Sequence, residues 1–137
     1  MKLESSAFVA DQELIDALEK QATCVTYRGG EVLFQQGESP QGLYILCRGN
    51  VTLTMTSPTG EEVMSFEAVT GSLLGLPGLI SSMPYTLTAI AHKDSKLCFI
   101  DREHFTSFMQ ANPMLSMKML QVLAAEVRSA RRTLADL

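Results

Sequence analysis

Residues able to do chemistry are few in this sequence, and they stand apart. The two histidines, His92 and His104, form no HxH or HExxH pair, the spacing that lets two imidazoles reach one ion. Asp101-Arg102-Glu103-His104 places an acid, a cation and an imidazole within four residues, a set that proton transfer could use. An aspartate just ahead of an apolar-periodic stretch is also a helix N-cap, and that role accounts for Asp101 without catalysis, leaving His104 as a surface side chain. Cys24, Cys47 and Cys98 are odd in number, far apart and without a CxxC pair. They read as ordinary buried thiols, not as a disulfide framework or a zinc site. Arg128, Arg131 and Arg132 gather near the C-terminus, where cations complement a helix dipole and form a solvated face. Neither a nucleophile elbow nor a phosphate loop occurs. The expectation is a non-enzyme with no metal and no resident cofactor.

The elements that must position these residues follow from periodicity. In residues 11–21, Leu14, Ile15 and Leu18 recur at helical spacing, with Ala22 beyond and Asp11 placed to cap. From Cys24 to Ile100 the period becomes two. Val51-Thr52-Leu53-Thr54-Met55-Thr56 alternates apolar residues with threonine, which sets Val51, Leu53 and Met55 on one face of a strand. Leu43-Tyr44-Ile45-Leu46-Cys47 is a buried-strand run, and residues 62–66, 85–90 and 96–100 supply three more strands. Arg28-Gly29-Gly30, Gly37-Glu38-Ser39-Pro40, Arg48-Gly49-Asn50 and Ser57-Pro58-Thr59-Gly60 separate them as turns. So many short strands mean a sandwich, roll or barrel. Asp101 then begins a short helix to about Gln110 that turns Phe105 and Phe108 inward. Asn112-Pro113 starts a longer one, since proline suits the first helical position. On it Leu120, Leu123, Val127, Ala130, Leu134 and Leu137 are spaced 3, 4, 3, 4 and 3 apart. That is an a/d seam, expected to join two copies as a homodimer.

Composition bounds the function. A chain of 137 residues, 46% hydrophobic and 19% charged, fits one globular domain. The longest charge-free run, 68–92, is broken by Gly71, Gly75, Pro77, Gly78 and Pro84, so it cannot form the ~20-residue apolar helix that spans a bilayer. Residues 1–6 have no apolar signal core, which makes the cytoplasm the expected compartment. A net charge of −4 and a pI near 5.1 oppose direct nucleic-acid binding, which needs clustered lysine and arginine.

Tyr27-Arg28-Gly29-Gly30-Glu31-Val32-Leu33-Phe34-Gln35-Gln36-Gly37-Glu38, continued through Gly42-Leu43-Tyr44-Ile45-Leu46 and Gly49-Asn50-Val51-Thr52-Leu53, resembles the cyclic-nucleotide-binding fold of catabolite-activator-type regulators, kinase regulatory subunits and gated channels. Nearly the whole chain is covered, past Gly71 to Asp101-Arg102-Glu103 and into the long helix. Gly30, Gly37, Gly42 and Gly49 carry most of the weight, as turn positions where other residues would strain. The resemblance implies a mainly β fold with flanking helices: an antiparallel β-roll, or double-stranded jelly roll, closed by a long C-terminal helix. Residues 1–137 would then form one domain, with an N-terminal helical segment over 1–23, the roll over 24–100 and the C-terminal helices over 101–137.

The resemblance also implies a ligand segment with a one-turn helix inside it, here 71–88. Candidate pocket residues are Leu74, Gly75, Leu76, Pro77, Gly78, Leu79, Tyr85 and Thr86, with Ser129 reaching in from the long helix. In the family a glutamate follows the glycine matching Gly75 and holds the ribose 2′-hydroxyl. An arginine follows the proline matching Pro84 and pairs with the cyclic phosphate. This sequence has Leu76 and Tyr85 there. Two lost charge-assisted hydrogen bonds would weaken a nucleotide by roughly 3–6 kcal/mol. Cyclic AMP or GMP is therefore a disfavoured ligand, and binding it would need Arg128, Arg131 or Arg132 to replace the missing charge. The expected function is a sensory module for an unidentified, less charged effector. The alternatives are a structural dimerisation module in which Leu76, Leu79 and Tyr85 fill the pocket, or the sensory part of a longer transcription regulator. The expected partners are a second copy through Leu120, Leu123, Val127, Ala130 and Leu134 and the effector itself, with neither nucleic acid nor membrane.

Overall fold

The computed structural model describes residues 8–136. The opening residues 1–7 and Leu137, the last position of the seam, lie outside the described residues. The order is α1 Gln12–Glu19, β1 Thr23–Thr26, β2 Glu31–Phe34, β3 Gly42–Arg48, β4 Val51–Thr56, β5 Glu62–Ala68, β6 Leu73–Leu74, α2 Leu76–Ser81, β7 Thr88–Ala91, β8 Lys96–Asp101, α3 Arg102–Ala111 and α4 Pro113–Ala135. The strands form two antiparallel four-stranded sheets, ordered β1-β8-β3-β6 and β2-β7-β4-β5. This is the β-roll with flanking helices, closed by the long helix α4.

The two sheets explain two kinds of strand sequence. In β4, Val51 and Leu53 are buried between the sheets while Thr52 and Thr54 are half-buried on the outer face, the alternation of a sheet covered on one side. The β3 run is apolar throughout because its sheet is covered on both sides. Leu43 and Ile45 pack with α1, α3 and α4, whereas Tyr44 and Leu46 face the opposing sheet. Cys98 and Ile100 of β8 likewise join the helix-side core and Leu97 the inter-sheet core. Two hydrophobic layers therefore share one sheet.

Side chains set the helix boundaries. Asp11 caps α1, its carboxylate accepting from the Leu14 N–H at 2.9 Å, and Asp101 caps α3 through the His104 N–H at 2.8 Å. Lys118 of α4 pairs with Asp11, and with Glu13 at 3.6 Å, tying the two long-range helices together. Gly30, Gly37 and Gly49 have positive φ as expected, but Gly42 does not. It opens β3 where a Cβ would stand 2.2 Å from the Ile100 carbonyl oxygen, so close backbone approach is what requires glycine there. The strand expected over 85–90 is also corrected. Tyr85 leaves the ladder, its N–H donating to Glu38 O and its carbonyl accepting from Gly37 N–H at 2.9 and 2.8 Å. β7 begins only at Thr88.

Candidate functional site

The segment singled out by its residues turns on Gly75. Its φ of +86° is in the left-handed region that strains any side chain, and a Cβ there would meet the Tyr85 ring at 2.8 Å. Glycine thus lets the chain pass from β6 into α2 directly beneath Tyr85. The Tyr85 ring is buried and stacks on Phe34 with centroids 4.1 Å apart. Its hydroxyl donates to the Gly42 carbonyl at 3.2 Å and accepts from the Gln41 N–H at 3.3 Å. Burial pushes the phenol above its ordinary range, so a neutral, anchored ring stands at the position where the sequence resemblance implied a guanidinium. Tyr85→Phe should keep the stacking and lose both hydrogen bonds, costing about 1–2 kcal/mol of stability by urea denaturation.

A cavity of about 230 Å³ lies between the roll and α4. Its floor is Leu53, Met55 and Met64, and Phe8 and Phe34 line it further. The turning segment contributes Leu74, Gly75, Pro77, Gly78, Tyr85, Thr86 and Leu87, and α4 adds Glu126, Val127 and Ala130. Six of the nine expected pocket residues are thus brought together. Three are not. Leu76 and Leu79 turn the other way, into the core beneath α1, α3 and α4, and Ser129 is buried on α4 outside the cavity wall. α2 has one face toward the cavity and one toward the core, and the residue after Gly75 falls on the core face. The expectation that Leu76 and Leu79 fill the pocket is corrected accordingly.

Glu126 was not anticipated. It is 8% exposed, and its Oε1 has no hydrogen-bond partner among the described residues. Burial pushes its carboxyl from 4.5 up to about 8, so at neutral pH it is mostly protonated. The signal was present in the sequence. Met119, Val122, Glu126 and Ser129 form the buried stripe of α4 at spacings of 3, 4 and 3, with an acid interrupting it. The more conspicuous seam beside that stripe masked it. Among the described residues no lysine or arginine lines the cavity, and Arg128, Arg131 and Arg132 are exposed.

The seam residues split between two settings. Leu120, Val127 and Leu134 are exposed and Leu123 and Ala130 half-buried, with Val127 and Ala130 also lining the cavity. Asp101 and His104 act as a cap. Backbone hydrogen bonding from His104 and then its imidazole hold the Asp101 carboxyl below its ordinary range, and both side chains are exposed.

The cysteines overturn their reading as separate buried thiols. Cys24 and Cys98 form a disulfide because antiparallel pairing of β1 with β8 sets them directly opposite, a neighbourhood invisible at a separation of 74 residues. Cys24 is exposed. The remaining thiol, Cys47, donates to Glu19 Oε1 at 3.2 Å, and its Sγ is 2.9 Å from Cys98 Sγ. Burial and the adjacent carboxylate push that thiol up to about 11.

The β-roll closed by its long helix is the architecture of catabolite-activator-type regulatory domains. The chain belongs to the cyclic nucleotide-binding domain family, whose model matches residues 24–112. It is 29% identical over 123 residues to the CRP-like cAMP-activated global transcriptional regulator of Mycobacterium tuberculosis, covering 90% of this chain and 55% of that protein. The catabolite activator protein of Thermus thermophilus superposes with a TM-score of 0.79 at 26% identity, covering 91% of this chain and 59% of that one. The neuropathy target esterase sws of Drosophila melanogaster is 25% identical over 104 residues, 76% of this chain and 7% of the esterase. The chain spans about half the length of the regulators it matches. No helix among the described residues is long and apolar enough to cross a membrane.

Proposed function

We propose that this chain is the sensory domain of a CRP-like transcription regulator, without catalytic activity of its own, answering to a small and mostly apolar effector instead of a cyclic nucleotide. The observation that carries this reading is the composition of the cavity wall: apolar side chains, Tyr85, Thr86 and one buried carboxyl, with no cation among the described residues. A cyclic phosphate placed there would lose its water and meet Glu126 with nothing to offset its charge, a costly exchange in a low-dielectric site. A mostly apolar hollow with one or two polar groups is the usual design for a neutral ligand.

Glu126 is the polar anchor in this reading. Protonated, it presents an O–H to an acceptor such as a carbonyl or ring nitrogen, which would satisfy a carboxyl whose Oε1 has no partner among the described residues. At about 230 Å³ the cavity is smaller than the roughly 300–1,000 Å³ of drug-sized sites, so the effector is a compact molecule. An open cavity of this size speaks against a pocket filled by its own side chains.

The seam supports a homodimer. Leu120, Val127 and Leu134 are 51%, 48% and 58% exposed, a large apolar outlay for a surface helix unless another chain covers it. A second copy packed along this stripe would also meet Val127 and Ala130 at the cavity wall, giving an effector a route to bias the α4 pairing. The relatives' greater length supports placing the chain in a larger regulator.

Native mass spectrometry tests ligand and assembly together. The expected spectrum is a dimer carrying a small co-purified molecule that is retained by the wild type and lost from Glu126→Leu. A monomer at tens of micromolar would overturn the dimer, and a bound cyclic nucleotide would overturn the proposed effector class.

A further inference from the structure

We propose that Cys24, Cys47, Cys98 and Glu19 form a binding site for a borderline-soft divalent cation such as Zn²⁺ in the reduced protein, and that the Cys24–Cys98 disulfide is the closed form of that site. The site is separate from the effector cavity, lying on the helix-covered face of the β1-β8-β3-β6 sheet, and it does not rest on the proposed effector.

Strand geometry brings the donors together. Cys24 is the register partner of Cys98 across β1 and β8, and Ile45 is its partner across β3 and β8. Cys47, two residues beyond Ile45, projects from the same face. The sulfurs of all three cysteines in the chain therefore meet around Cys98, although they come from three strands. Glu19, the last residue of α1, closes over them. Its donor oxygen and the sulfurs of Cys47 and Cys98 all lie within 4.8 Å of one another.

A structural disulfide needs two of these groups and leaves the other two unexplained. A third sulfur held 2.9 Å from Cys98 Sγ, with a carboxylate oxygen 3.2 Å from that third sulfur, adds two donors to the disulfide pair, and reduction turns the set into three thiols and one carboxylate. Four sulfur and oxygen donors drawn from separate elements are what a closed tetrahedral zinc site uses. Tetrahedral zinc at about 2.3 Å from each sulfur holds the sulfurs roughly 3.8 Å apart, so the reduced cluster must open slightly. Cys24 is on an edge strand, exposed and paired on one side only, and can give way. Glu19 is only partly covered, which leaves the ion a path in from solvent.

The chemistry balances with a dithiol as reductant. It supplies two electrons and two protons, closing its own disulfide while Cys24 and Cys98 become thiols. The cation then displaces thiol protons to solvent as the thiolates coordinate. Oxidation by a disulfide-forming partner reverses both steps and releases the ion.

Cobalt reports on such a site directly. Titrating CoCl₂ into the anaerobically reduced chain should give one equivalent bound, with sulfur-to-cobalt charge transfer and the visible bands of a tetrahedral ion, both erased by added Zn²⁺. The oxidised chain should show none of these. Cys47→Ser retains the pair that forms the disulfide, and Glu19→Gln is a near-isosteric change at a partly covered residue, so both should fold as judged by circular dichroism. Each should weaken cobalt binding by more than about tenfold, the lower bound seen even for groups that only support a ligand. A reduced wild type lacking sulfur charge transfer would overturn the proposal, as would Cys47→Ser binding as tightly as the wild type.

Discussion

Glu126→Leu should stabilise the protein by several kcal/mol near pH 9 and by much less near pH 5, and should flatten its dependence of stability on pH. The carboxyl is buried, its Oε1 has no hydrogen-bond partner among the described residues, and its pKa is raised from 4.5 to about 8. Between those values the folded state holds a proton that the unfolded state has released. Proton uptake on folding makes stability fall as pH rises. The contribution is therefore complete below about pH 4.5, declines through the neutral range and is gone above about pH 8. At about 1.4 kcal/mol per pKa unit, the wild type should lose on the order of 3–5 kcal/mol across that window. Among the described residues Tyr85 is the only other titratable group on the cavity wall, and its raised phenol stays neutral throughout. Urea denaturation of wild type, Glu126→Gln and Glu126→Leu at several pH values measures the effect. A wild-type slope unchanged in Glu126→Gln would show that another group is responsible.

Leu76→Glu should be among the most destabilising single substitutions in the chain, costing about 3–5 kcal/mol. The sequence resemblance implied a glutamate at this position, holding a ribose hydroxyl. In this structure, however, Leu76 is fully buried among Leu79, Phe105 and Met119 on the core side of α2. A carboxylate there would have neither water nor a cation, and it would lie outside the cavity wall. Thr86 does line the cavity, so Thr86→Arg should leave stability nearly unchanged while introducing the missing cation. Thermal melts of the two variants separate these outcomes. A well-folded Leu76→Glu protein would mean that this turn can rotate the residue into the cavity.

The fold was legible because its signals were local. The alternation in β4, the two aspartate caps and Asn112-Pro113 each act within a few residues, and the ordered turn glycines marked the roll. Part of the site was legible for the same reason: Gly75, Pro77 and Tyr85 lie in one short segment. What stayed hidden depended on facing. Whether Leu76 looks into the cavity or the core is a rotation about a six-residue helix. The Cys24–Cys98 bond depends on a strand pairing across 74 residues. Glu126 was obscured for a different reason. α4 carries two adjacent stripes, one buried in its own roll and one exposed, and the apolar seam drew attention to the second. Val127 and Ala130 belong at once to the seam and to the cavity wall, so assigning them to either alone missed their position between the two.

These features make the cavity apolar and acid-bearing where the sequence resemblance implied a phosphate met by an arginine. Isothermal titration of the purified wild type with cyclic AMP, at neutral pH and micromolar protein, measures the consequence most directly. The account predicts no saturable heat. A stoichiometric isotherm with a micromolar dissociation constant would contradict it, because the wall described here offers no group to neutralise the phosphate.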